Sequence, residues 1–113
     1  MDAVGEAAKK IHGNSKLSEN AQTVYGLKNI ETGGIEKVGI SGGKVDANGI
    51  PNRATKQVNQ HGNYKYEAVI LDKVDAGIGA RQKALNLEIK HTKANKGSIN
   101  KDIHKRPNPD KIK

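Results

Sequence analysis

The run from Val24 to Ile40 constrains this fold more than any other part of the chain. β-Branched and aromatic residues stand on both sides of Glu31-Thr32-Gly33-Gly34, and glycines there can take the positive φ that a tight hairpin turn demands. The pattern predicts two antiparallel strands near 23–30 and 35–41. With 113 residues, 34% hydrophobic content and no Phe or Trp, the chain supports one domain with a small core.

After the hairpin, Gly42, Gly43, Asn48, Gly49 and Pro51 mark a loop, and 53–60 places Ala54 and Val58 four apart, as a short helix would. The Tyr-, Val-, Ile- and Leu-rich run 65–74 reads as a third strand, long enough to be the central one. A helical pattern follows over 78–94, stopped by Asn95-Lys96-Gly97. The expected fold is α+β: a small three-stranded antiparallel sheet flanked by helices, in the order β-β-α-β-α. Residues 1–22 read as a lead-in, 23–106 as the domain and 107–113 as a basic tail, with a frayed C-terminal end.

The formal charge of +8 creates a field that attracts phosphates, so polyanions are the expected partners. No cysteine is present, which excludes disulfides and thiolate metal sites. No apolar run approaches the roughly 20 residues needed to span a bilayer. The start Met1-Asp2-Ala3-Val4-Gly5-Glu6 lacks the pattern of a secretion signal, so none is expected.

Glu88 is the sharpest chemical signal. It falls within the apolar stripe of the last helix, among Ala80, Ala84, Leu85, Leu87 and Ile89. A carboxylate there needs a cation: either a salt bridge to Lys37, Arg53 or Arg81, or a divalent ion such as Mg²⁺ or Mn²⁺, which prefers oxygen ligands. Tyr25 and Lys37 share a face of the hairpin only if the turn has an odd number of residues; a four-residue Glu31-to-Gly34 turn would separate them. Placed together near a cation, the phenol would have its pKa lowered towards taking a proton from water; apart, Tyr25 is a packing residue and Lys37 is solvated. Arg53, at the start of the first helix, can hold two phosphate oxygens or simply lie on the surface. His91, one turn beyond Glu88, is a further candidate ligand or proton donor, and His12 with His104 would allow metal-free acid/base cleavage of RNA.

In the order and setting of these residues the chain resembles the GIY-YIG endonuclease superfamily over about residues 23 to 100. Val24-Tyr25 stands where the first motif ends in tyrosine, Lys37-Val38-Gly39 stands at the second, and Arg53 and Glu88 match the family's arginine and metal-binding glutamate. Asn100 falls near its late supporting asparagine. The first motif lacks its leading Gly-Ile, and Lys37 replaces a tyrosine. The resemblance implies cleavage of a phosphodiester, usually in DNA, through one divalent ion bound by Glu88, with Tyr25, Lys37 and Arg53 as catalytic residues.

A narrower likeness is to the C-terminal toxin domains of bacterial polymorphic toxins of the contact-dependent inhibition and Rhs types. It is carried by His12-Gly13-Asn14-Ser15, Lys37-Val38-Gly39-Ile40-Ser41, Arg53-Ala54-Thr55-Lys56-Gln57-Val58-Asn59, Gly79-Ala80-Arg81 and His104-Lys105-Arg106-Pro107. It implies export as part of a larger carrier, action in the cytoplasm of a neighbouring cell as a monomer, and a cognate immunity protein that an acidic surface would suit. Two other functions fit the residues: an RNase toxin, for instance against tRNA, and a noncatalytic basic module that binds nucleic acid without cutting it.

Overall fold

The computed structural model describes residues 19–108. Their elements are β1 (Gln22–Asn29), β2 (Ile35–Ser41), α1 (Asn52–His61), β3 (Tyr66–Val74) and α2 (Ala80–Ala94). The fold is α+β, with a three-stranded antiparallel sheet ordered β2-β1-β3 and a helix on each face. β1 is therefore central, and β3, the expected central strand, lies at an edge. β1 is buried along nearly its whole length, whereas β3 is only partly buried through its middle. A strand covered on both faces loses the polar alternation that distinguishes a half-exposed strand.

The sheet separates two small cores. Val24, Val38 and Ile40 face α2 and pack with Ala80 and Ala84. Tyr25, Leu27 and Tyr66 face α1 and pack with Ala54. α2 begins two residues later than the pattern suggests, because Gly77 (φ 152°) and Gly79 (φ 79°) hold the preceding segment in a turn. Ile78 is consequently exposed, and Ile89 lies at the margin of the α2 stripe. No helix among the described residues is long and apolar enough to cross a membrane.

The basic segment after α2 runs along the free edge of β2. Ser98 Oγ donates to the Ile35 carbonyl (2.7 Å), the Asn100 N–H to the Glu36 carbonyl (2.8 Å), and the Val38 N–H to His104 Nδ1 (3.1 Å). An edge strand presents unpaired backbone groups, and these contacts satisfy them. His104 is almost fully buried, and its Nε2 donates to the Pro107 carbonyl at 2.7 Å. With one ring nitrogen accepting and the other donating, the imidazole is held neutral. Burial also lowers its pKa, outweighing the Pro107 hydrogen bond. The lead-in up to residue 18, His12 included, and residues 109–113 lie outside the described residues.

Candidate functional site

The hairpin register decides whether Tyr25 and Lys37 meet. Next to the turn, Asn29 N–H donates to the Gly34 carbonyl and Lys28 pairs with Ile35; such a pairing continued inward would put Tyr25 and Lys37 on opposite faces. The register shifts between Leu27 and Lys28, leaving Glu36 as an extra residue in β2. Beyond that bulge Leu27 pairs with Lys37 and Tyr25 with Gly39, so Tyr25 and Lys37 share the α1 face. Neither an odd-numbered turn nor the plain four-residue turn describes this hairpin. An inserted residue restores the parity.

Side chains pin the bulge. The Glu36 carboxylate accepts from Asn29 Nδ2 (2.8 Å), from Asn100 Nδ2 (3.2 Å) and from the Tyr66 hydroxyl. Burial opposes its charge, but these hydrogen bonds outweigh burial and lower its pKa. Asn100 thus stands at the bulge, apart from the cavity described next.

That cavity, of about 430 Å³, opens over the β2 edge of the sheet, and Tyr25, Lys37, Arg53 and Glu88 all line it. β1 and β2 supply the phenol and the amine, the first turn of α1 the guanidinium, and α2 the carboxylate from the other side of the sheet edge. Gln57, Arg81, Lys105 and Arg106 also line it. His91 does not; its Nε2 lies 3.1 Å from Asp72 on β3. His104 is locked into the β2 edge, and among the described residues no histidine lines this cavity.

Tyr25 lies across Gly39. An added Cβ at Gly39 would sit 2.5 Å from both Cζ and the hydroxyl oxygen of Tyr25, closer than such atoms approach. The ring itself is 1% exposed and has little room to move. Gly39→Ala is expected to cost about 1–3 kcal/mol by overpacking and to displace the phenol. A Cβ added at Gly97 would meet nothing within 4 Å, so Gly97→Ala should change stability by less than about 0.5 kcal/mol. Urea titration of both variants checks the difference, and equal stabilities would remove Gly39 from the account of Tyr25.

The Tyr25 hydroxyl donates to Gln57 Oε1 at 2.8 Å. The expected lowering of its pKa depends on a bound cation, and the protein's own groups shift it the other way. Burial raises it, and Glu88 adds to the rise, against the opposing influence of Arg53. Burial lowers the pKa of Lys37, whose Nζ donates to the Ile103 carbonyl at 2.9 Å; Arg53 and Lys105 push the same way and Glu88 opposes them. Before any cation binds, the phenol thus holds its proton more tightly than usual and the amine holds its own less tightly.

Glu88 is half-buried, and among the described residues no salt bridge reaches it. Burial raises its pKa to about 7, with Arg81, Lys37 and Arg53 holding it back in that order. Arg81 is 8% exposed; its Nη1 donates to Gln22 (3.0 Å), and its buried Nε has no partner among the described residues. The salt-bridge alternative for Glu88 is thus not formed by Lys37, Arg53 or Arg81. No group of three His, Cys, Asp or Glu side chains that could hold a metal occurs among the described residues. A desolvated carboxylate that makes no ion pair among the described residues fits a hard divalent ion that takes its remaining ligands from water and phosphate.

Arg81, Leu85 and Glu88 all line the cavity and recur on one face of α2. Helical spacing from Glu88 back to Arg81 was the available signal for a second guanidinium. Lys105 and Arg106 carried no such signal, because only the packing of the last segment on β2 brings them to the cavity. Comparisons of the chain with protein-family models, curated proteins and solved structures found no match.

Proposed function

We propose that this chain is a metal-dependent endonuclease toxin that hydrolyses phosphodiester bonds, most favourably in the DNA of a competing bacterial cell. The observation supporting this reading is that a phenol, an amine, a guanidinium and a half-buried carboxylate line one cavity. Glu88 would hold Mg²⁺ or Mn²⁺. Bound there, the ion would supply Lewis-acid stabilisation of the phosphoryl charge.

The chain's own groups divide the remaining work. Tyr25 donates to Gln57 and keeps its proton, so its oxygen is left to accept a hydrogen bond and orient the attacking water. Lys37, whose pKa burial lowers, assists in taking the proton that the water releases. Arg53 steadies the phosphate oxygens as negative charge grows on them. Lys105 and Arg106 enlarge the positive rim. The same rim suits an acidic immunity protein, and delivery by a larger exported carrier belongs to the same proposal.

Plasmid DNA and total RNA incubated side by side test the reading. DNA should be cut in Mg²⁺ and spared in EDTA. Cleavage that survives excess EDTA would exclude the metal route, and preferential loss of RNA would reassign the substrate. Steeply salt-dependent binding with no cutting in Mg²⁺ or Mn²⁺ would leave only a noncatalytic module.

A further inference from the structure

A second concavity adjoins the first. A pocket of about 290 Å³ is lined by Ser41, Gly43, Lys44, Asn52, Arg53 and Lys56. Arg53 lines both this pocket and the larger cavity, so the two flank one side chain at the start of α1. Three of its six lining residues are cationic, and none is acidic. In contrast, the pocket beside the β3–α2 turn includes Asp75, and the one at the hairpin end includes Glu31.

The fold reinforces this charge. Lys56 is three residues after Arg53 on α1, so their side chains emerge one above the other on one face. Lys44 comes from the opposite wall, held by the hydrogen bond from the Asn52 N–H to its carbonyl (2.9 Å). The first turn of α1 contains no acidic residue, so the positive end of the helix dipole adds to the charge of this pocket. Both lysines are exposed, which leaves their ammonium groups accessible to a polyanion.

We propose that the pocket holds the backbone phosphate next to the scissile one, so that a nucleic-acid strand crosses from the Tyr25–Glu88 cavity over the start of α1 to Lys44 and Lys56. This rests on the nuclease reading for which phosphate is scissile, but binding along the track does not require cleavage. Arg53 stands at the junction, and the lysines beyond it fix the direction in which the strand leaves. Contacts of this type are to phosphate alone and position a strand without reading its sequence.

Fluorescence anisotropy of labelled single-stranded and duplex DNA oligonucleotides, titrated with salt in EDTA, tests the track separately from chemistry. Lys44→Ala/Lys56→Ala should weaken binding at least about tenfold and reduce the slope of log K against log salt by about 1–2. Lys83→Ala/Lys90→Ala, removing two exposed lysines of α2, should leave the slope unchanged. Wild-type affinity and slope in the first variant, or an equal loss in the second, would overturn the proposal. Lost slope in the first variant, with a wild-type protein that cuts nothing in Mg²⁺, would sustain the track and sink the nuclease reading. Circular dichroism of each variant verifies that the fold is kept.

Discussion

Glu88→Gln should abolish phosphodiester cleavage, on the order of 10³-fold or more, since it removes the anchor for a divalent ion that stabilises developing charge. The same variant should be more stable than the wild type at pH 8. Glu88 has a folded pKa of about 7 against an ordinary 4.5, so the folded chain binds that proton more tightly than the unfolded chain does. The associated stability is complete below about pH 4.5 and is lost as the pH rises through 7. Glutamine removes the buried charge while keeping the side chain's shape. Because Glu88 is only half-buried, solvent screening reduces the expected gain to about 1 kcal/mol, or a rise in Tm of roughly 4–8 °C.

Thermal melts at pH 5 and pH 8, with and without Mg²⁺, separate these effects. The two proteins should converge at pH 5, and Mg²⁺ should raise the Tm of the wild type at pH 8 but not that of Glu88→Gln. Undiminished cutting by the variant would refute the placement of Glu88 in the site. Coincident melts at pH 8 would show that its carboxylate is not under strain from burial.

His104→Ala should be the most damaging single change to stability. It leaves the Val38 N–H and the Pro107 carbonyl without their side-chain partner and opens a cavity beneath the last segment. Together these cost about 3 kcal/mol, a fall in Tm of roughly 12–24 °C for a domain of this size. His104→Asn should recover part of the loss, because its side-chain oxygen can accept from Val38. The pH dependence runs opposite to that of Glu88. The folded pKa of His104 is depressed, so its contribution is complete above the ordinary histidine value of 6.5 and is lost as the pH falls from there through the folded pKa. Melts across pH 5 to 8 check both; a Tm for His104→Ala within a few degrees of the wild type would mean that the last segment does not depend on this residue. Releasing that segment would also carry Lys105 and Arg106 away from the cavity and uncover the β2 edge, so weaker nucleic-acid binding and a tendency to self-associate should accompany the loss.

Much of this molecule is written locally in its sequence. Glu31-Thr32-Gly33-Gly34 between β-branched runs determined the hairpin, and the spacing of Ala80, Ala84 and Glu88 determined both the last helix and the acid within its buried stripe. Side-chain period and turn chemistry act over a few residues, which makes such features legible without any long-range contact. The strand order was not legible, since a strand's pairing partners are chosen by competition for the core rather than by its own composition. Nor was the Glu36 bulge, which brings Tyr25 and Lys37 to one face; it is held by Asn29, Tyr66 and Asn100, the last of these 64 positions away. The same holds for His104: its charge-rich neighbourhood suggests a solvated tail, and only the unpaired groups of an edge strand turn it into a buried, neutral clasp. Tertiary structure decided these points because an unsatisfied buried donor or carboxylate takes whichever partner the fold brings within reach, and sequence distance does not enter that choice.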